Sequence, residues 1–389
     1  MVKESIRTTE RAYRVRCYPT KKQARLLAQL FGAKRWVWNW GLRKKREAYR
    51  TRKENISINQ LSNEFTQLKK QPEYAWLDAL PREPFIQVLR DLNTAYTNFF
   101  AKRARYPKAK KREYAGSVRF KLDQRRTQVD REAGRVQLDR LGKVKFRVTE
   151  ELIGRLRSVT ISRDSAGRFF MSFTADQVPV KSLPAPQIES VGIDQGVKTL
   201  LVTSANERTA VSRALEVKAY RLRRYQRSQA RKLRAAMVKA GLDPSKPIPK
   251  GIKLQKSKRF ERNRRRIARL HAQVGDARRD LLHKATTSLI ERHALIGIEN
   301  LNVKGIMKGL PRVRRLAGNA CMGEVRRQLK YKAAWYERKL ILVDRFFPSS
   351  QLCSDCGWQY KDLKLSQRSW QCAQCGAHHD RDHNAAKNI

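Results

Sequence analysis

Acidic side chains are scarce in this chain of 389 residues. It has 35 aspartate and glutamate residues against 87 lysine and arginine residues, which gives a formal net charge of +52 at pH 7. A charge this unbalanced opposes compaction through self-repulsion, and a polyanion would relieve it while counterions are released from the phosphates. The composition therefore favours a nucleic-acid partner.

Long apolar runs are also missing. No run reaches the roughly 18 residues of a membrane-spanning helix, and no apolar segment typical of a secretory signal follows the charged start. A membrane surface is therefore the weaker alternative to nucleic acid. We expect a cytoplasmic protein with no membrane partner.

Cysteine is rare, but four of the six residues form two CxxC motifs with 15 residues between them. The pairs are Cys353 and Cys356 in LCSDCGW and Cys372 and Cys375 in QCAQCGA. This spacing predicts a four-cysteine zinc site, which is structural because tetrahedral coordination by four thiolates leaves no open position for chemistry. A disulfide framework is the alternative. It fits poorly because the chain is long, lacks a secretory signal and leaves Cys17 and Cys321 without a motif.

Acidic residues follow two apolar runs of strand length. Asp194 in SVGIDQGVKTLLV and Glu299 in ALIGIENLNVKG each lie where a buried strand would deliver a side chain to a sheet edge. Two more acids, Asp380 and Asp382, follow the second CxxC motif in HHDRDHNAAKNI. By spacing alone, one of these is a helix N-cap and the other a first-turn partner of the helix dipole.

Five motifs in fixed order resemble those of the TnpB (OrfB) family of transposon-associated RNA-guided DNA endonucleases, relatives of the type V CRISPR effectors. They are GIDQGVKTL, IGIENLNVKG, PSSQLCSDCG, CAQCG and DRDHNAAKNI. Near the amino end, YPTKKQARLLAQLFGAKRWVWNWGL and RYPKAKKREYAGSVRF are similar to the family's opening helix-turn-helix and to the basic segment before its barrel strands. The resemblance therefore covers nearly the whole chain.

The resemblance implies an RNase H-type (RuvC-like) nuclease domain whose acids are Asp194, Glu299 and Asp382. Asp380 is the weaker candidate because the family acid is the one in DxNAA. Hard Mg²⁺ or Mn²⁺ ions prefer oxygen ligands, and two of them held by these acids would support phosphodiester hydrolysis. The implied partners are a guide RNA from the transposon end and double-stranded target DNA. The implied protein is a monomer with its RNA, near the nucleoid of a prokaryotic cell.

The predicted fold is multidomain α+β. A helical recognition domain (20–112) is inserted in a small β-barrel wedge domain (1–19 and 113–180), and an α/β nuclease domain (181–389) carries an inserted zinc ribbon (349–377). Apolar residues that alternate with polar ones predict the strands, and apolar residues that recur about every 3.6 positions predict the helices. The wedge and recognition roles, gripping the guide RNA and the DNA motif beside the target, come from the resemblance. A capping box at Thr20 and Gln23 predicts a helix that ends at Gly32, before a second helix near Trp36 and Trp40.

Two segments carry charge of almost one sign. Residues 101–112 contain seven basic residues and no acid, and residues 218–269, predicted as a helical hairpin turned at Gly241 to Gly251, contain 20 against two. A solvated face normally mixes signs, so we predict contacts with nucleic-acid phosphates. The candidate residues are Lys108, Lys110, Lys111, Arg262, Arg264, Arg265 and Arg266.

Two alternatives to an active nuclease stay open. A catalytically idle guided DNA-binding regulator or transposition accessory protein would be marked by a lost acid, and all three acids are present. A plain zinc-ribbon nucleic-acid-binding protein leaves the acid motifs unexplained. We expect His378, His379 and His383 to make local polar or DNA contacts. Because seven residues follow Asp382, we also expect its helix to have almost no support of its own.

Overall fold

The computed structural model describes residues 8–111, 113, 115–122, 127–180, 183–196, 199–210, 212–249, 251–306, 321–364 and 366–389. The chain divides into two compact units, Met1–Pro179 and Val180–Ile389. Each unit has its own principal sheet and its own buried core. Among the described helices, none is both long enough and apolar enough to cross a membrane.

The first unit contains a seven-stranded antiparallel sheet in the order β2-β6-β7-β1-β5-β4-β3. The strands are β1 (Thr8–Tyr18), β2 (Gly116–Lys121), β3 (Val129–Asp130), β4 (Arg135–Leu138), β5 (Gly142–Phe146), β6 (Arg155–Arg163) and β7 (Phe169–Pro179). Tyr13, Val15 and Cys17 of β1 point into the core, as their alternation predicts. No pairing among the described residues joins β2 to β3, so closure into a barrel stays a prediction.

Helices between β1 and β2 share one core with this sheet. They are α1 (Lys21–Arg52), α2 (Ile58–Leu68) and α3 (Glu83–Phe100), with a 3₁₀ turn at Pro72–Leu77. The capping box is present, with Gln23 N donating to Thr20 Oγ1 at 3.3 Å and Thr20 N donating to Gln23 Oε1 at 2.9 Å. The predicted helix end at Gly32 is wrong. A continuous buried face, including Leu30, Ala33 and Val37, stabilises one helix of 32 residues through the glycine.

The second unit contains a five-stranded mixed sheet in the order β10-β9-β8-β11-β12. The strands are β8 (Ile188–Asp194), β9 (Thr199–Thr203), β10 (Arg208–Ala210), β11 (His293–Glu299) and β12 (Lys339–Val343). β11 runs parallel to β8 and β12, and β9 is antiparallel to β8 and β10. Ile193 pairs with Ile298, so the next residues, Asp194 and Glu299, lie side by side at the carboxyl edge of the parallel strands.

Helices cover this second sheet. The basic hairpin is formed by α4 (Arg213–Lys239) and α5 (Lys258–Arg292), followed by α6 (Val303–Ile306), α7 (Met322–Trp335) and α8 (Arg381–Asn388). α5 packs on α7 and β11, while α8 packs on β8 and β9. A two-stranded ribbon, β13 (Ser369–Gln371) and β14 (His378–Asp380), leads directly into α8. The sheet therefore brings the strand-end acids and the last helix together.

Candidate active site and zinc centre

The third acid reaches the sheet edge from the first turn of α8. Asp380 is the N-cap of that helix, and its Oδ1 accepts a hydrogen bond from His383 N at 2.9 Å. Its other oxygen lies 3.2 Å from the guanidinium of Arg208. Asp382 follows inside the first turn. Asp380 is therefore the N-cap and Asp382 the first-turn acid, which are the two roles that the spacing predicts for this pair.

The pKa of Asp194 depends on the charges of the other two acids. Burial, followed by the negative charges of Glu299 and Asp382, raises this pKa from 3.8 to about 7, while Arg381 and a backbone hydrogen bond oppose the shift. Like charges held near a desolvated carboxylate disfavour its ionisation. A divalent cation at this edge would remove the repulsion, so the donor set fits a hard metal ion.

Glu299 and Asp382 each have a further partner. Ser349 Oγ donates to Glu299 Oε1 at 2.6 Å, and Arg368 lies 3.3 Å from Asp382 Oδ1. In the described part of the chain, the four cysteines are the only group of three or more ligating side chains whose donor atoms all lie within 4.8 Å of one another. The three carboxylates are therefore spread more widely than the ligands of a single small ion.

The helix that carries Asp382 is well supported, so the expectation that it has little support of its own is wrong. Ala385 and Ala386 are buried against the sheet. A Cβ added to Gly192 in β8 would collide with the carbonyl oxygen of Ala386, and one added to Gly297 in β11 would lie 2.7 Å from that of Ile389. Only glycine at these two strand positions allows the helix to come so close.

Two asparagines also attach α8 to the segment that enters the first CxxC motif. Asn384 Nδ2 donates to Leu352 O at 2.6 Å, and Asn388 Nδ2 donates to Leu352 O and Ser349 O, each at 2.8 Å. Ser354 N donates to Asn384 Oδ1 at 2.9 Å. Because these residues are one helical turn apart, both amides face the same segment.

The four cysteines form a zinc-type cluster. Sγ of Cys353 lies 3.6 Å from Sγ of Cys375, and Sγ of Cys356 lies 3.6 Å from Sγ of Cys372. Thiolates bonded to zinc at about 2.3 Å in a tetrahedron are about 3.8 Å apart, so these side chains fit the ion. Each CxxC turn is followed by a glycine with positive φ, 78° at Gly357 and 74° at Gly376.

Two of the three histidines near the site make local polar contacts. Nε2 of His379 lies 3.0 Å from Cys353 Sγ, and its buried ring packs 4.6 Å from that of Trp370. Nε2 of His383 lies 3.0 Å from the carbonyl oxygen of Ser204, which follows β9. Both contacts connect the ribbon or α8 to its surroundings.

The predicted phosphate contacts on α5 differ in their surroundings. Arg264 forms an ion pair with Glu261 at 2.8 Å, and the guanidinium of Arg266 lies 5.8 Å from the ring centroid of Tyr225. Arg262 and Arg265 are exposed. These four positions therefore do not form one uniform row of available charges.

Sequence reasoning missed a basic row on α4. Its members line one concave surface beside Tyr220 and are Arg224, Arg227, Arg231 and Arg234. Ion pairs within 4.0 Å are absent for these four among the described residues. The sequence could have predicted this row, because arginines separated alternately by three and four residues lie on one face of a helix.

The basic segment of the first unit is held along α1. Trp38 Nε1 donates to Lys108 O at 3.0 Å, and Lys110 N donates to Asn39 Oδ1 at 2.8 Å. The ammonium of Lys110 lies 3.7 Å from the Trp38 ring centroid, and burial lowers its pKa. Lys108 and Lys111 are exposed, and Arg112 lies outside the described residues.

Three family models match parts of the chain. They are described as "Helix-turn-helix domain" at residues 9–54, "Probable transposase" at 251–309 and "Cas12f1-like, TNB domain" at 323–389. The first match corresponds here to β1 and the single long helix α1.

Similar proteins align over almost the full chain. A candidate RNA-guided DNA endonuclease from Streptomyces pristinaespiralis is 35% identical over 384 residues, which cover 98% of this chain and 88% of that protein. InsQ from Escherichia coli K12, with the same description, is 29% identical over 97% and 91% of the two chains. A cryo-EM structure of a Cas12f1–sgRNA–target DNA complex matches at 12% identity over 98% of both chains with a TM-score of 0.56, which shows a common fold. Taken with the ordered motifs, the full-length similarity shows that this chain belongs to the TnpB (OrfB) family.

Proposed function

We propose that this protein is an insertion-sequence-encoded endonuclease that cuts DNA matched to a transposon-derived guide RNA. The observation that carries the proposal is the grouping of Asp194 and Glu299, at the ends of two paired parallel strands, with Asp382 of α8. Burial and the charges of the other two acids raise the pKa of Asp194. A buried carboxylate with a perturbed pKa, grouped with other acids, is typical of a catalytic site. The two similar proteins described as RNA-guided DNA endonucleases support the same activity.

We further propose that Asp194, Glu299 and Asp382 hold two Mg²⁺ or Mn²⁺ ions. Such ions, when bound, activate water and neutralise charge on the attacking and leaving oxygens of a phosphodiester. The protein contributes carboxylates fixed on two parallel strands and one packed helix. Their spread beyond 4.8 Å supports ligation from more than one side. Binding requires Asp194 to lose its proton, which the raised pKa opposes until a cation compensates.

The zinc centre has a structural role in this proposal. Four thiolates would hold Zn²⁺, and the segment containing Cys353 and Ser354 would then present a fixed surface to Asn384 of α8. Asp382 lies two residues before Asn384 on the same helix. A zinc-stabilised CxxC segment would therefore also fix the position of Asp382. A zinc ribbon inserted in an RNase H-type nuclease domain is consistent with the strand order of the second sheet.

The basic surfaces supply the binding of nucleic acid. We propose that the α4–α5 hairpin and the segment 101–111 contact phosphates of a guide RNA or of double-stranded target DNA. The wedge (1–19 and 113–180) and recognition (20–112) assignments within the first unit, a monomer bound to its RNA, and a cytoplasmic, nucleoid-associated location belong to the same proposal.

Sequencing the RNA that copurifies with the protein tests the guided part of this function. The gene would be expressed with its flanking DNA, and the bound RNA mapped to that locus. We expect one RNA from the end of the element, retained equally by Asp194→Ala, because the variant keeps the basic surfaces. Ribosomal fragments alone would contradict guided binding. An idle regulator would bind the same RNA, so it is separated from a nuclease only by cleavage.

A further inference from the structure

Ser349 occupies a position between two of the site's elements. It lies in the PSSQ segment after β12, and only 4% of its surface is exposed. Its Oγ is 2.6 Å from Glu299 Oε1 at the end of β11, and its carbonyl oxygen accepts from Asn388 Nδ2 of α8 at 2.8 Å. One residue thus contacts both the second acid and the helix that carries the third.

The direction of the Ser349–Glu299 hydrogen bond is fixed by chemistry. An ionised carboxylate only accepts, so the hydroxyl donates, and a bond to a charged acceptor is stronger than one between neutral groups. Glu299 has three rotatable side-chain bonds, and its charge and that of Asp194 repel each other. A donor on Oε1 opposes rotation away from Asp194 and leaves Oε2 for a cation.

We propose that Ser349 is a positioning residue that holds the Glu299 carboxylate in the orientation that binds a divalent cation together with Asp194. The inference rests on the proposed function, because it takes the three acids as the cation site. Partners that orient metal ligands commonly change metal affinity by about 10- to 100-fold when they are removed. Ser349→Ala deletes the hydroxyl but retains the carbonyl that Asn388 contacts.

The test is Mn²⁺ binding by full-length, zinc-loaded, RNA-free protein, measured as the Mn²⁺-dependent rise in unfolding temperature. Bound ligand raises this temperature in proportion to the logarithm of its concentration relative to its Kd. Relative to wild type, Ser349→Ala should need about 10-fold more Mn²⁺ for the same rise. Ser350→Ala, which removes the adjacent hydroxyl, is the matched control and should behave as wild type. Asp194→Ala, which removes one proposed ligand, gives the rise in unfolding temperature that Mn²⁺ causes by binding elsewhere on the protein.

The decisive comparison places Ser349→Ala in a Glu299→Ala background. If Ser349 acts through Glu299, the second change has no further effect on the Mn²⁺ response there. A purely structural serine would weaken the response equally in both backgrounds, which would overturn the inference. An unchanged response in Ser349→Ala alone would also overturn it, while the proposed function stands. If Asp194→Ala responds as wild type does, the proposed cation site itself is wrong.

Cleavage gives a second readout in the complex with RNA. Ser349→Ala should raise the Mg²⁺ concentration for half-maximal cleavage by about 10-fold. Its affinity for the guide RNA should equal that of Ser350→Ala. An unchanged Mg²⁺ requirement would contradict a positioning role.

Discussion

At the residue scale, Asp194 costs the protein stability when no cation is bound. Its pKa of about 7 in the folded chain lies above its ordinary value of 3.8 because of burial and the neighbouring acids. Between these two pH values the folded chain binds a proton that the unfolded chain has released. The free energy of unfolding therefore falls as the pH rises through this window, and the full cost is present above pH 7.

Asp194→Asn should stabilise the RNA-free, zinc-loaded protein at pH 8 when no Mg²⁺ or Mn²⁺ is added. The upper limit is about 4 kcal/mol, since each pKa unit corresponds to about 1.4 kcal/mol. The gain should shrink at pH 5, where the wild-type carboxyl is already protonated. Urea unfolding at both pH values measures the effect. Asp380→Asn is the control and should not stabilise the protein. Burial raises the pKa of Asp380, but hydrogen bonds and the charge of Arg208 outweigh it, so the pKa lies below its ordinary value.

Gly192 provides a steric test of the contact between β8 and α8. Gly192→Ala should displace α8, since its Cβ would collide with the carbonyl of Ala386, and cleavage should fall at least about 10-fold as Asp382 moves. Gly32→Ala is the opposite control. Among the described residues, no atom outside the neighbouring backbone of α1 lies within 4 Å of its added Cβ, so the helix should gain about 0.5–1 kcal/mol without loss of activity. Normal cleavage by Gly192→Ala would show that the tight packing is dispensable.

The difference between predicted and missed residues has a physical basis. The cysteines, Asp194, Glu299 and Asp382 were proposed because their local spacing or motif is readable in the chain. Ser349 and Arg368 were missed because their contacts with acids 50 and 14 residues away exist only after folding. Whether the three acids catalyse a reaction stays a prediction.

At the element scale, helix and strand patterns were readable where burial alternates regularly. The α4–α5 hairpin and the strand β1 were predicted from such patterns and are present. Gly32 was misread because glycine propensity is a small local effect, whereas the buried face of α1 continues on both sides of it. β3, two residues long, carries too little pattern to be predicted from sequence.

Removing the zinc should slow cleavage without releasing the guide RNA. In Cys372→Ser the CxxC segments should loosen, so Leu352 and Ser354 no longer offer α8 a fixed surface. Packing at Gly192 should keep α8 folded, which predicts a rate loss of about 10-fold or more rather than unfolding. Metal content, RNA affinity and cleavage would be measured on one preparation.

Cys321→Ser is the matched control for that experiment, because Cys321 lies outside the cluster. It should retain its zinc and its activity. A Cys372→Ser protein that has lost zinc but cuts at the wild-type rate would show that the sheet contacts alone hold Asp382.

The α4 arginine row should contribute more to nucleic-acid binding than the α5 positions. Each phosphate contact adds about 0.7–0.9 to the salt-dependence slope, so changing Arg224, Arg227, Arg231 and Arg234 to Gln should lower the slope by about 3. The same changes at Arg262, Arg264, Arg265 and Arg266 should lower it less, because Arg264 already pairs with Glu261. Binding would be titrated at several salt concentrations. Equal slopes for the α4 variant and wild type would identify that row as merely solvated.

At the scale of the whole molecule, charge and topology point to the same class of partner. A net charge of +52 favours association with nucleic acid. The second sheet and α8 group three acids, which we propose as the site of phosphodiester cleavage. The basic excess was readable from composition. The sharing of one core by the helices and sheet of the first unit was not, because such packing depends on contacts distant in sequence.

The most direct test is programmed cleavage by the purified protein–RNA complex. A matched DNA duplex beside the element's flanking motif, a mismatched duplex and the matched duplex without Mg²⁺ would be compared for wild type, Asp194→Ala, Glu299→Ala, Asp382→Ala and Asp380→Ala. We predict that wild type cuts only the matched duplex with Mg²⁺, that each of the first three variants binds RNA but does not cut, and that Asp380→Ala keeps at least partial activity. Wild-type complex that binds the matched duplex without cutting it, or an Asp194→Ala complex that cuts at the wild-type rate, would contradict the account.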